Sequence, residues 1–314
     1  AFGCMAEIFL ANLCLEEDFR KKVVLKRILP QFSADQAFVQ MFIYEAVLAA
    51  RFNHPSVVQI YDFGQVDGRY FIAMEYIDGF DLREVLKAYR RQGIRLRPVE
   101  VAYLGELAAK ALAYVHKFKD DRGKPLHIVH RDVSPANLML SRETELKLMD
   151  FGIARCVARQ NLTQTGVIKG KLAYLSPEQA RAESLDAASD QFSLGLVLLE
   201  CLAGRKIYQA ETEAEILALA IAADLSLPDF NAEHGAKNLV NILVKAVQAK
   251  VSERYTDCAH LAETLRRFRL QEQNGPEVSL KDVLDRVDSP AETRVLEATE
   301  AADLTEPADK SPQL

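Results

Sequence analysis

The stretch IVHRDVSPANLML, residues 128–140, holds the densest set of groups in this chain that could do chemistry. Asp132 follows His130 and Arg131, and Asn137 stands five positions after Asp132. A carboxylate can take a proton from a hydroxyl, and carboxylate and amide oxygens suit a hard cation. Phosphate transfer on such a loop would also want a positive charge where Ser134 stands, which raises the question of what supplies it. The His-Arg-Asp triplet by itself is a weak signal. Its weight comes from ordered company: a glycine-bearing loop (AFGCMAEI, 1–8), a Val-Val-Leu-Lys run ending at Lys26, Glu45, MDFG at 149–152, SPE at 176–178, Asp190 in an apolar stretch, and Arg254 in the last third.

These residues need elements to hold them. Residues 7–12 and 19–29 are rich in Val, Ile, Leu and Phe and read as two strands joined by a polar turn around Glu16–Asp18. Helical spacing follows over 34–51, with Phe38, Phe42, Glu45 and Leu48 about a turn apart. Strands are expected at 57–63 and 69–75, linked by the Asp67-Gly68 turn. After Gly79 the pattern turns helical: 81–92, then 99–116 behind Pro98, then an apolar helix over 190–202 ending at Gly204, with further helices to about residue 270. Short strands at 138–140 and 146–148 bracket a turn. A small strand-rich lobe over 1–75 thus precedes a larger helical lobe over 76–270. The segment 271–314 carries eleven Asp and Glu against four Lys and Arg, with four prolines, and is expected to stay largely unstructured apart from a short helix at 279–287 capped by Ser279.

The net charge of −6 is therefore concentrated in that tail; the rest is near neutral, which argues against a nucleic-acid footprint. No run of about 18 apolar residues suggests a membrane span. The five cysteines (Cys4, Cys14, Cys156, Cys201, Cys258) lack metal-ligand or redox spacing, so reduced thiols and a cytoplasmic location are expected.

The ordered motifs, over residues 1 to about 270, resemble a eukaryotic-like serine/threonine protein kinase of the bacterial type. The resemblance implies an α+β bilobal fold, with an antiparallel-sheet N-lobe and a mainly helical C-lobe. It implies ATP and Mg²⁺ as cofactors and transfer of the γ-phosphoryl group to protein hydroxyls. Lys26 would pair the α- and β-phosphates, and Glu45 would keep Lys26 aimed. Asp150 and Asn137 would hold Mg²⁺, and Asp132 would orient the substrate hydroxyl and accept its proton. Gly3 would lie in the phosphate loop. Ile8, Val24 and Met139 would sandwich adenine behind the gatekeeper Met74. Glu75, Tyr76 and Ile77 would form the hinge, and Asp81 could reach the ribose. Glu178 and Arg254 match the buried ion pair that anchors the activation segment. Thr163 and Thr165 match the autophosphorylated threonines, with Arg131 as the cation a phosphate there would meet.

Three positions depart from that pattern. Only the middle glycine of the G-x-G-x-x-G loop survives, and the strand that should precede Ala1 is missing, so an incomplete N-terminus is expected. Val24 replaces the usual Ala. Ser134 replaces the usual Lys, while Lys171 stands where the facing wall usually has Thr. The resulting expectation is that Lys171 supplies the charge that Ser134 lacks. The competing readings are a pseudokinase or truncated fragment acting as a scaffold, and a small-molecule phosphotransferase. The long segment from Asp150 to Glu178 and the SPE anchor argue against the last. Partners would be protein substrates and the chain itself; homodimerisation stays open.

Overall fold

The computed structural model describes residues 6–14, 20–151, 172–228, 230, 236–272 and 278–288. The expected small lobe is a four-stranded antiparallel sheet of β1 (Ala6–Cys14), β2 (Arg20–Ile28), β3 (Ile60–Val66) and β4 (Arg69–Glu75), in spatial order β1-β2-β4-β3. Cross-strand partners include Ile8 with Lys26, Lys26 with Ile72, and Val24 with Met74. Side chains alternate between faces along a strand, so Ile8, Val24, Lys26 and Met74 share one face.

Between β2 and β3 the chain forms a helical turn, α1 (Pro30–Ser33), and then α2 (Gln36–Ala49). Asp35 starts α2 by accepting from the Ala37 and Phe38 amides. Phe38, Phe42, Glu45 and Ala49 fall at helical spacing on the buried stripe. A carboxylate on an apolar stripe demands a cationic partner.

The first strand after α2 begins later than the sequence pattern suggests. Val57 and Val58 leave the small sheet and join the other lobe: Val58 N donates to Leu148 O at 3.0 Å, and Leu148 N to Ser56 O at 2.9 Å. The apolar residues there serve an inter-lobe tie, and β3 starts only at Ile60.

The second lobe opens with a three-stranded sheet of β5 (Gly79–Asp81), β6 (Leu138–Ser141) and β7 (Leu146–Leu148). At Gly79 a Cβ would come 2.0 Å from Leu140 O, so only glycine lets β5 approach β6 this closely. The helices are α3 (Leu82–Arg91), α4 (Pro98–His116), α5 (Pro177–Ala180), α6 (Ala187–Ala203), α7 (Glu213–Ala222), α8 (Ala236–Ala246), α9 (Cys258–Glu272) and α10 (Leu280–Asp288). Every residue of α6 from Ser189 to Ala203 is buried, and α6 ends at Gly204 in the left-handed conformation (φ 69°). Helices α4, α8 and α9 pack around it. This helix, buried on all sides, is the axis on which the loop from His130 to Asn137 hangs through Asp190.

Helix α10 shows that part of the acidic tail is packed. Leu280, Val283, Leu284 and Val287 recur at helical spacing; the first three are buried and Val287 is partly so. The stripe docks on α3: Tyr89 Oη donates to Val283 O (3.1 Å) and Gln92 Nε2 to Arg286 O (2.8 Å). Arg286 pairs with Glu100 of α4. Ser279 Oγ accepts from the Lys281 amide, as the expected cap would. Net charge pointed to a solvated tail, but a four-position apolar stripe is enough to fold a local helix onto a ready surface. Among the described residues no helix is long and apolar enough to cross a membrane.

Candidate active site

Lys26 projects from β2 toward two carboxylates. Its Nζ lies 2.8 Å from Asp150 Oδ1 and 3.3 Å from Glu45 Oε1. Burial alone would push the ammonium's pKa down, but the two carboxylates outweigh it and hold the value above that of ordinary lysine. Lys26 is therefore a fixed cation, and Glu45 has the partner its buried position requires.

Asp132 and Asn137 are tied to each other. Asn137 Nδ2 donates to Asp132 Oδ2 (2.6 Å) and to Asp132 O (2.7 Å). With its amide nitrogen spent on the loop, Asn137 presents its oxygen as an acceptor. The 3-10 turn Pro135–Asn137 that carries it begins at Ser134 and leads directly into β6.

Asp190, near the start of α6, organises the loop. Its Oδ2 accepts from His130 N (2.7 Å) and from the His116 ring (2.8 Å), and its Oδ1 accepts from Arg131 N (2.8 Å). Burial tends to raise the pKa of this carboxyl, but the imidazoles and amide donors around it win and keep it below the ordinary aspartate value. Arg131 adopts a left-handed conformation (φ 68°) that a residue with a Cβ rarely takes. The Asp190 clamp on its amide, and a bond from Gln179 Nε2 to its carbonyl (2.8 Å), hold that strained turn.

His130 joins the segments that carry Asp132 and Asp150. Full burial pushes its pKa down in spite of the nearby carboxylates, so the ring is neutral. Its Nε2 lies 2.9 Å from Met149 O, and a carbonyl can only accept, so Nε2 carries the proton. Nδ1 then accepts from Asp132 N at 3.3 Å. One ring thus spaces Asp132 from Met149, the residue before Asp150. Asp150 itself takes a left-handed conformation (φ 50°), which Asp tolerates better than most residues. Phe151 packs against the rings of His130 (4.8 Å) and Phe52 (5.0 Å), fixing the direction in which Asp150 leaves the chain.

The expected adenine-site residues lie around the same cleft. Ile8, Val24 and Met74 share the cleft-side sheet face with Lys26, and Met139 comes from the sheet below. Glu75 and Ile77 occupy the segment between the lobes, where Ile77 is buried. Asp81 is also engaged elsewhere. It caps α3 by accepting from Glu84 N (2.8 Å), and its other oxygen takes Arg83 (2.8 Å). A ribose hydroxyl would have to share that carboxylate. Gly3, Lys171, Thr163 and Thr165 lie outside the described residues. Ser134 is 3% exposed, and its Oγ has no hydrogen-bond partner among the described residues.

Glu178 and Arg254 meet in a two-pronged ion pair at 2.7 and 3.0 Å, and Ser189 Oγ donates to Glu178 (2.8 Å). Burial opposes the charge on Glu178, but Arg254 holds its pKa below the ordinary glutamate value.

Two contributors escaped the sequence reading. Lys147 pairs with the hinge residue Glu75 at 2.9 Å. Its signal was available: a Lys between two buried leucines in a three-residue strand needs a carboxylate nearby. His116 supports Asp190 from α4, and nothing in its own neighbourhood announces that role.

The groups at Asp150, Asn137 and Asp132 suit a divalent cation that binds through one or two protein oxygens and completes its shell with phosphates and water. The comparisons agree with this geometry. The model of the protein kinase domain family matches residues 7–266. The chain is 39% identical over 276 residues to tyrosine-protein kinase MasK of Myxococcus xanthus (strain DK1622), covering 88% of this chain and 43% of that protein. It is 34% identical over 273 residues to serine/threonine-protein kinase PknB of Mycobacterium tuberculosis (strain ATCC 25618 / H37Rv), covering 85% and 41%. It is 32% identical over 248 residues to serine/threonine-protein kinase PrkC of Bacillus subtilis (strain 168), covering 78% and 36%. The chain thus spans about two fifths of the length of these relatives. Among solved structures, the kinase domain of Mycobacterium tuberculosis PknI superposes with a TM-score of 0.60 at 26% identity, over 85% of this chain and 92% of that one.

Proposed function

We propose, for a chain that belongs to the protein kinase domain family, that it transfers the γ-phosphoryl group of ATP to serine and threonine hydroxyls of proteins, with Mg²⁺ as the metal. One observation carries the reading: Lys26, Glu45 and Asp150 converge within 3.3 Å from three separate parts of the chain, beside an Asp132 gripped by Asn137. Phosphoryl transfer asks a protein mainly for positioning and charge neutralisation, and this cluster provides both. Lys26 binds the nucleotide phosphates, held in aim by Glu45. Asp150 and the Asn137 amide oxygen hold the metal, which when bound neutralises charge on the phosphates. Asp132 orients the incoming hydroxyl and accepts its proton; the 2.6 Å bond from Asn137 fixes its carboxylate. Ile8 and Val24 close over adenine from the sheet and Met139 from below, with Met74 as the gatekeeper.

Lys171 is proposed as the cation that compensates for Ser134, whose buried Oγ supplies no charge to that wall. Thr163 and Thr165 are proposed as autophosphorylation sites, with Arg131 as the partner of the resulting phosphate.

The printed name of the 39%-identical relative favours a second reading, in which the acceptor hydroxyl is that of tyrosine. Incubation with labelled Mg-ATP and a mixed protein substrate, followed by phosphoamino-acid analysis, decides between the two. Phosphoserine and phosphothreonine that vanish in Asp132→Asn are expected. Phosphotyrosine alone would transfer the case to the second reading. A wild-type chain that binds Mg-ATP yet yields no label would leave a nucleotide-binding scaffold.

A further inference from the structure

Residues 82–97 carry six cations, Arg83, Lys87, Arg90, Arg91, Arg95 and Arg97, against one carboxylate, Glu84. Arg83, Lys87, Arg90 and Arg91 fall at helical spacing on one face of α3, and all four are exposed, whereas Leu82, Val85, Leu86 and Tyr89 form its buried face. This basic stripe runs beside the loop that bears Asp132. α3 packs on the turn Pro135–Asn137 of that loop. At one end of the stripe Arg83 bonds Asp81 (2.8 Å), the residue expected at the ribose. At the other, Arg90 reaches Glu200 (3.4 Å), whose second oxygen takes Tyr174 Oη (2.6 Å). Tyr174 ends the turn Leu172–Tyr174, and α5 starts soon after it; there Gln179 Nε2 donates to the carbonyl of Arg131, next to Asp132. Lys87 lies between the two ends.

The carboxylates along the stripe are committed. Asp81 and Glu84 close the capping box of α3, and Glu200 is buried and shared by Tyr174 and Arg90. Lys87, Arg91 and Arg95 have no carboxylate partner among the described residues. The Arg95 side chain lies against Gly204, where a Cβ would meet its Cγ at 3.5 Å, and Arg205 adds a further cation at this corner. Past Tyr174 the balance changes: α7, which packs on the Leu172–Tyr174 turn, begins with Glu213 and Glu215. The positive field thus lies on the α3 side, where exposed cations without counter-charges favour an anionic segment.

The chain itself contains such a segment. In EATEAADLTE, 297–306, Thr299 and Thr305 each have a carboxylate two positions before and one position after. Thr163 and Thr165 have none in those places. The segment follows α10, which docks on α3, and the eleven positions from Asp288 to Thr299 can span up to about 36 Å. The ten residues of α3 extend only about 15 Å. We propose that the basic stripe of α3 receives the segment 297–306 and that the chain phosphorylates it at Thr299 and Thr305. The carboxylate two positions before each threonine, Glu297 or Asp303, meets Lys87 and Arg91. In the transfer the threonine Oγ bonds the γ-phosphorus as the bond to the departing ADP breaks, and the hydroxyl proton passes to Asp132. The assignment rests on the phosphotransfer reading.

The test is phosphosite mapping by mass spectrometry after the full chain is incubated with Mg-ATP, beside the mixed protein substrate. Phosphate on Thr299 and Thr305 is expected, and its rate of appearance should fall as ionic strength rises. Lys87 and Arg91 are exposed, so Lys87→Glu with Arg91→Glu should keep the fold and slow labelling of both threonines about ten-fold. Glu297→Lys with Asp303→Lys, which leaves every described residue untouched, should do the same. Combining the two charge reversals should restore most of the loss. A mixed substrate that is labelled while Thr299 and Thr305 stay bare would overturn this inference and leave the phosphotransfer reading standing. Labelling of both threonines that neither charge reversal slows would overturn it as well. A chain that labels nothing would end the reading and the inference together.

Discussion

Lys26 and Asp150, 124 positions apart in the chain, meet at 2.8 Å, closer than Lys26 comes to Glu45. The cation thus rests on the carboxylate proposed to hold the metal. Nucleotide binding would then exchange one partner for another: Lys26 turns to phosphate, and Asp150 to the metal. The pairing keeps both side chains in one place beforehand, so little ordering is left for the binding step.

Lys26→Met should therefore lower kcat by roughly 10²-fold or more, as removal of a preorganised transition-state donor does. The fold should survive, because Met fills similar volume. Steady-state kinetics beside circular dichroism checks both halves. The sign of the pKa shift adds that Lys26 stays protonated up to and beyond its ordinary value of 10.5, so the pair is present throughout the neutral range and is lost only as pH rises past that value.

Ser134 and Lys171 offer a two-variant test. Lys171→Ala should cost about 10²-fold in kcat, and adding Ser134→Lys to it should restore part of the loss. Normal turnover by Lys171→Ala would show that the cation at 171 has no part in transfer.

The Glu178–Arg254 pair predicts an acid-sensitive stability. Glu178 has a folded pKa below its ordinary value of 4.5, so its contribution is full above 4.5 and is lost as pH falls toward the depressed folded value. Glu178→Gln should destabilise at neutral pH by about 3–5 kcal/mol, since Arg254 is left buried without its counter-charge. Wild type and variant melting temperatures should converge as pH drops below 4.5. Parallel curves would mean that the carboxylate charge is not what the anchor uses.

Helix α10 should be removable without unfolding the rest. Leu284, at 3% exposure, is one of three buried residues holding it, and Leu284→Ala would cost about 2–5 kcal/mol if the helix stayed docked. A helix with so few anchors should instead release. Hydrogen exchange should show amides 280–288 losing protection while those of α6 keep theirs. A second effect follows from Arg142, which bonds Asp288 of α10 (2.5 Å) and donates its amide to Asp78 O (2.8 Å), next to the proposed hinge. Release of α10 should raise the KM for ATP modestly, with little change in kcat.

Most of the element order was legible in sequence because hydrophobic period and turn chemistry are local properties. The strands around Lys26, the helix bearing Glu45, and the loop from His130 to Asn137 all lie where spacing and motif order put them. The start of β3 was misjudged because Val57 and Val58 are apolar for a different reason: they join Leu148 of the other lobe. The docking of α10 was missed because composition averages over a segment, whereas a helix docks on the four positions that face its partner.

Sequence by itself determined the inventory: one ammonium, three carboxylates and an amide, in a fixed order along a chain able to form two lobes. Tertiary structure alone decided their use. It set Lys26 between Glu45 and Asp150, committed Asp81 to a helix cap, and gave Glu75 the Lys147 ammonium. The physical reason is distance. Charge pairing and burial act over a few ångströms in space, and residues 124 positions apart acquire that separation only when the whole core closes around α6.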